Sequence, residues 1–120
     1  MILADTSVWV DHLRQGNDRL TSLLADGQVT CHPFIIGELA CGNLKNRREV
    51  LLLLGRLPRA VPATHTEVLI LIESRRLMGR GLGWVDDHLL STAALHGLDL
   101  WTLDRRLDIA ATVLGVRTQN

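Results

Sequence analysis

Short, purely apolar runs alternate with helix-length segments along this chain, and that alternation restricts the fold more than any other feature. Met1 to Ala4 is apolar without period-two alternation. It reads as a strand buried on both faces, the habit of strands in a parallel sheet. Asp5, Thr6 and Ser7 follow, all good N-cap types for a helix beginning near Val8. Gly16-Asn17 breaks that helix, and the next runs from Asp18 to Ala25 and stops at Asp26-Gly27. Val29 to Cys31 reads as a second strand. Pro33 suits the first turn of a helix over 34–41, stopped by Gly42-Asn43. Arg47 to Leu54 is helical and is expected to end at Gly55. Ala60-Val61, between Pro58 and Pro62, reads as another short strand. Thr64 with Glu67 three positions on has the capping-box pattern, ahead of a helix reaching about Met78. Gly79, Gly81 and Gly83 mark a loop before a helix from near Asp86 to His96, closed by Gly97. Leu98 to Leu103 reads as a strand, Asp104 to Leu114 as the last helix, and Val116 to Thr118 as an edge strand. Strands alternating with helices throughout predict an α/β fold with a mostly parallel central sheet flanked by helices.

With 120 residues, the chain suits a single domain over 1–120. Lys+Arg and Asp+Glu are equal at 13 each, which excludes a histone-like polybasic protein. Nucleic-acid binding therefore has to come from uneven placement of charge. Lys45 is the one lysine; every other cation is an arginine, a skew that a GC-rich genome explains. Cys31 and Cys41 have neither metal-site nor C-x-x-C spacing, which reads as reduced thiols in the cytosol. The apolar runs 50–54 and 68–72 are far too short to span a membrane, and the N-terminus has no basic leader region. The expectation is a soluble cytoplasmic protein.

Four acids fall at informative places. Asp5 closes the first strand and Asp104 closes the strand that begins at Leu98, and α/β sheets gather ligands beyond the carboxyl ends of their strands. Asp86 opens a helix with Leu89, Leu90 and Ala93 on its face, so it is expected to point coreward, and its neighbour Asp87 to solvent. Glu38 shares a face with Ile35, Leu39 and Gly42, the one charge on a stripe that otherwise wants burial. Each acid alone reads equally well as a cap or surface residue. Together they would bring four carboxylates to one end of one sheet, and such a cluster repels itself unless a cation sits in it. Hard oxygen ligands select Mg²⁺ or Mn²⁺.

Four segments resemble a known family. They are Ile-Leu-Ala-Asp5-Thr6-Ser7-Val-Trp-Val-Asp, Ile-Ile-Gly-Glu38-Leu, Gly-Trp-Val-Asp86-Asp-His-Leu-Leu-Ser and Leu-Trp-Thr102-Leu-Asp104-Arg-Arg-Leu. In this order and at these spacings they resemble PIN-domain toxins of the VapC type, from Met1 to about Ala111. The resemblance implies a Rossmann-like fold and a Mg²⁺-dependent endoribonuclease, the toxin of a type II toxin–antitoxin pair. It also implies a VapB-like antitoxin partner that blocks the active site, and a homodimer. Asp5, Glu38, Asp86 and Asp104 match the family's acidic quartet of catalytic metal ligands, Asp5 and Asp86 foremost, with Asp108, one turn past Asp104, as a competitor for the fourth place. Thr6, Ser7 and Thr102 match hydroxyl positions that orient carboxylates or water. Bound Mg²⁺ would activate the attacking water, and a second ion would stabilise the leaving oxygen.

RNA contacts have three basic candidates: Lys45/Arg47/Arg48, Arg75/Arg76/Arg80 and Arg105/Arg106. The last borders Asp104 and is preferred. Base stacking falls to few residues, since the chain has three Trp, one Phe and no Tyr; Trp84 is the candidate beside Asp86. The five histidines are scattered and are read as surface or packing residues. Two rivals stand beside the ribonuclease: a non-catalytic α/β interaction module, given the excess aliphatics at 51–54 and 68–72, and a metal-dependent nuclease acting on DNA.

Overall fold

The structure is a computed structural model that describes residues 1–118. Three parallel strands form the sheet: β1 (Ile2–Ala4), β2 (Val29–Thr30) and β3 (Asp99–Trp101), in the order β2-β1-β3. In register, Leu3 sits between Thr30 on one side and Leu100 on the other. Seven helices cover it among the described residues: α1 (Thr6–Gln15), α2 (Asp18–Ala25), α3 (Pro33–Cys41), α4 (Arg47–Arg56), α5 (His65–Arg75), α6 (Trp84–His96) and α7 (Arg105–Leu114). This is the expected α/β arrangement, with every ladder parallel. Its core joins Leu3 and Ala4 of β1 to Val8, Leu20, Ile35, Leu39, Leu90 and Leu107 from the surrounding helices.

The helix starts follow local chemistry. Asp5, Asn17, Thr64 and Asp104 each accept a backbone N–H through a side-chain oxygen at an N-cap. Thr64 and Glu67 form the expected capping box, with Thr64 N donating to Glu67 Oε1 at 2.8 Å and Glu67 N to Thr64 Oγ1 at 3.2 Å. His32 does the same work for α3 with a ring nitrogen: Nδ1 accepts from Phe34 N at 2.9 Å, ahead of Pro33 in the first turn. The His32 ring is fully buried and its Nε2 has no partner. Burial, with a smaller contribution from His88, pushes its pKa down to about 4.

Several boundaries differ from expectation. Helix α4 runs through Gly55 to Arg56, because Pro58 sets the end by forcing Leu57 into an extended conformation, ψ 152°. Helix α5 stops at Arg75, short of Met78. Arg76 takes a left-handed conformation, φ +53°, and Leu77 N reaches back to Ile72 O at 3.0 Å as its side chain enters the core. Ala60-Val61 is not a strand; a single bridge joins Cys31 to Arg59 instead. β3 spans only Asp99–Trp101, and the edge at 116–118 contributes one bridge, Leu100 to Arg117.

Two outcomes follow. Leu3→Ala, at the centre of the sheet, is expected to lower unfolding free energy by about 2–5 kcal/mol in urea titration. His32 is neutral when folded, while an unfolded histidine takes up a proton near its ordinary pKa. Stability should therefore fall as pH drops from about 6.5 toward 4. His32→Asn keeps an N-cap acceptor and removes the titration, so that fall, up to about 3 kcal/mol, should shrink in denaturant curves taken across the range.

Candidate active site at the carboxyl edge of the sheet

With β1 in the centre, the chain first crosses to β2 on one side and later to β3 on the other. The crevice beyond the carboxyl ends of β1 and β3 is thus a topological switch point, where α/β sheets place ligands. Asp5 leaves β1 there, and its N–H donates to Trp101 O of β3 at 2.9 Å. Asp5 is only 6% exposed. Oδ1 accepts from Ser7 Oγ at 2.5 Å and Val8 N at 3.2 Å, and Oδ2 accepts from Thr102 Oγ1 at 2.5 Å. Burial raises the Asp5 pKa, and these hydrogen bonds oppose the rise without cancelling it.

The same hydroxyls carry the network outward. Ser7 Oγ accepts from Leu103 N at 2.9 Å, and Thr102 Oγ1 accepts from Asp104 N at 3.0 Å. Asp104 caps α7 through Oδ1 and Leu107 N at 3.1 Å, and is exposed. Asp108, its competitor, is taken by Arg117, whose Nε donates to both carboxylate oxygens at 2.9 and 3.0 Å. On the other flank Thr6 Oγ1 donates to Glu38 Oε1 at 2.7 Å.

Glu38 and the Asp86-Asp87 pair correct the expected burial. Glu38 is exposed. Ile35 and Leu39 hold the buried row of α3, and Glu38, offset by sixty degrees or so around the helix from Ile35, falls on its flank. Asp86 is half-buried, whereas Asp87 is 7% exposed with Oδ1 unpartnered. Helix α6 begins at Trp84, earlier than expected, so Asp86 sits in the first turn and its Oδ2 accepts from Gly83 N at 2.9 Å. Every residue from Asp87 to Ala93 is buried, so the helical period gave α6 no solvent side on which to place Asp87. Burial first, then the neighbouring Asp86 charge, pushes the Asp87 pKa up to about 6.

Arg105 and Arg106 are both exposed. Arg106 lies across the glycine loop that leads to Asp86: a Cβ at Gly81 would come within 2.7 Å of Arg106 Nη1, and Gly81 has φ +76°. The loop's glycine is required by its backbone, since φ +76° strains any other residue, while the exposed arginine above it can move aside. The network joins Asp5, Ser7, Thr102 and the Asp104 backbone directly. Glu38 is held beside it by Thr6, and Asp86, bonded to Gly83 N, has no hydrogen bond to it among the described residues. As the side chains stand, no group of three or more His, Cys, Asp or Glu among the described residues is close enough to hold a metal. The donor chemistry nonetheless suits a hard divalent ion, because the acids offer carboxylate oxygen and buried Asp5 has no cation bonded to it among the described residues.

Sequence reasoning missed the two buried histidines beside these acids. His32 follows β2 at the same edge of the sheet, and His88 lies in α6 with Nδ1 unpartnered and its pKa lowered by burial and then by His65. The signal for His32 was its place directly before a helix-opening proline.

The PIN domain family pattern matches residues 2–113. The chain is 52% identical over 117 residues to Ribonuclease VapC32 of Mycobacterium tuberculosis, in strains CDC 1551 / Oshkosh and ATCC 25618 / H37Rv alike. The match covers 97% of this chain and 94% of each relative. Family pattern and relatives accord with the parallel α/β fold: the chain belongs to the PIN-domain family and is of the VapC type.

Proposed function

We propose that this protein is a Mg²⁺-dependent endoribonuclease, the toxin of a type II toxin–antitoxin pair, with Asp5, Glu38, Asp86 and Asp104 as its acidic set. The observation that carries the reading is the Asp5–Thr102 contact: a buried carboxylate with no cation bonded to it among the described residues, held at the switch point by a hydroxyl just past the neighbouring strand. RNA as the substrate is supported by relatedness, over nearly the whole chain, to a protein named a ribonuclease.

Asp5 and Asp86 would hold the ion, with Glu38 and Asp104 completing its shell directly or through water; Mn²⁺ would substitute. When bound, Mg²⁺ lowers the pKa of water and offsets charge on the scissile phosphate. The chain's own residues set the stage. Ser7 and Thr102 fix the rotamer of Asp5, and Thr6 fixes Glu38. Arg105 and Arg106, on the first turn of α7, supply phosphate contacts.

Two features support partners. Leu52, Leu53, Leu69 and Ile70 are exposed on α4 and α5, more apolar surface than one core requires. A cleft of about 350 Å³ between α1, α2 and α4 is lined by Trp9, Leu13, Leu24, Val50 and Leu53, away from the acids. These surfaces suit a VapB-like antitoxin and a second copy of the chain. No described helix is long and apolar enough to cross a membrane. A cytoplasmic location accords with free Cys31 and Cys41.

Asp5→Asn and Asp86→Asn should each abolish chelator-sensitive cleavage of RNA while circular dichroism stays unchanged; full cleavage by Asp5→Asn protein would sink the mechanism. Matched DNA should survive under the same conditions. Saturating Mn²⁺ should raise Tm, by about 2.7 kcal/mol of stabilisation at a hundred times Kd, and the gain should vanish in Asp5→Asn. A Tm indifferent to Mn²⁺ would favour the non-catalytic interaction module.

A further inference from the structure

We propose that Phe34, His88 and Trp84 form a stacking platform for an unpaired base of the RNA substrate, an inference that rests on the ribonuclease reading above. The chain has four Phe and Trp residues in all. Trp9 and Trp101 are buried, and the other two, Phe34 and Trp84, are exposed at 38% and 39%. Although fifty positions apart in sequence, both pack on one ring. The His88 centroid lies 4.6 Å from that of Phe34 and 4.7 Å from that of Trp84, with interplanar angles of 63° and 85°.

His88 is 5% exposed, so the two outer rings rest on a fixed one. Leucine would fill that place without leaving a nitrogen unpaired, and an unpaired buried polar atom costs stability. An imidazole retained at such a position makes sense as a spacer that sets the angle of its aromatic neighbours. His65 also packs against Trp84, 5.0 Å between centroids and tilted by 54°.

The position fixes the occupant. Trp84 and His88 share one face of α6, and exposed Phe34 lies one turn before exposed Glu38 on the same face of α3. A strand whose phosphate reaches Glu38 therefore passes these rings. Aromatic faces accept any base, and a neutral surface beside several carboxylates tolerates a base far better than a phosphate. Unpaired bases can splay onto such rings, whereas those of a duplex stay stacked within it.

The test is the affinity of a short, mixed-sequence single-stranded RNA with cleavage-resistant phosphorothioate linkages, read by fluorescence anisotropy in Mg²⁺. Trp84→Leu should weaken binding about five- to a hundred-fold, with Trp84→Phe close to the parent and Phe34→Leu in between. The slope of log affinity against log salt should not change, because stacking releases no counterions. The parent should prefer the single strand to its duplex. Trp84→Leu binding as tightly as the parent would overturn the platform while leaving the ribonuclease intact. So would an altered sedimentation mass with unaltered RNA affinity, which would make the rings a protein interface. No binding by the parent, with the platform variants equally inert, would instead fail the RNA reading itself.

Discussion

A buried carboxylate binds this structure together. Asp5 accepts three hydrogen bonds, and they come from different parts of the molecule: the first turn of α1, and the end of β3. One side chain thereby caps a helix, closes the central strand and locks the neighbouring strand against it. Such a group is expensive to bury, and the hydroxyls of Ser7 and Thr102 recover much of that cost. They are also what confine the carboxylate to one orientation, so the demands of folding and of the proposed metal site meet on the same atoms. The strands themselves are too short to supply that precision: β2 has only Val29 and Thr30.

The order of strands and helices was legible because the chain marks it with strong local chemistry. Apolar Ile2 to Ala4 could hardly be anything but a buried strand, and Thr64 with Glu67 announces its helix. Ends were less legible wherever a distant demand overrode a local one. Gly55 looks like a stop, but Pro58 decides. Ala60-Val61 looks like a strand between prolines, yet only Arg59 bridges to Cys31. Leu77 ends α5 early because the core has a place for it. In each case the sequence carries the propensity and tertiary packing chooses among its outcomes.

The candidate site divides in the same way. The places of Asp5 and Asp104 are readable from strand ends; the hydroxyls of Thr6, Ser7 and Thr102 came only with the family resemblance, and neither the Thr6–Glu38 pair nor the exposure of Glu38 was legible. Asp86 and Asp87 were misordered in burial because periodicity carries information only where a helix has one wet side, and α6 is buried almost all round. The packing of Phe34, His88 and Trp84 was invisible for a simpler reason. It joins side chains from separate helices, and nothing in either local sequence refers to the other.

The Asp5–Thr102 contact closes a span of 97 positions, nearly the whole chain. Its two ends are therefore born far apart in time. At a synthesis rate of about 5–20 residues per second, Thr102 follows Asp5 by about 5–20 s. Through that interval a nascent chain carries Asp5 without the hydroxyl that orients it, and β1 without its second neighbour. A message cut short before codon 102 would yield the first three acids and no assembled edge. If the protein is the ribonuclease proposed above, late closure would leave the unfinished chain without its assembled edge while its own template is still being read.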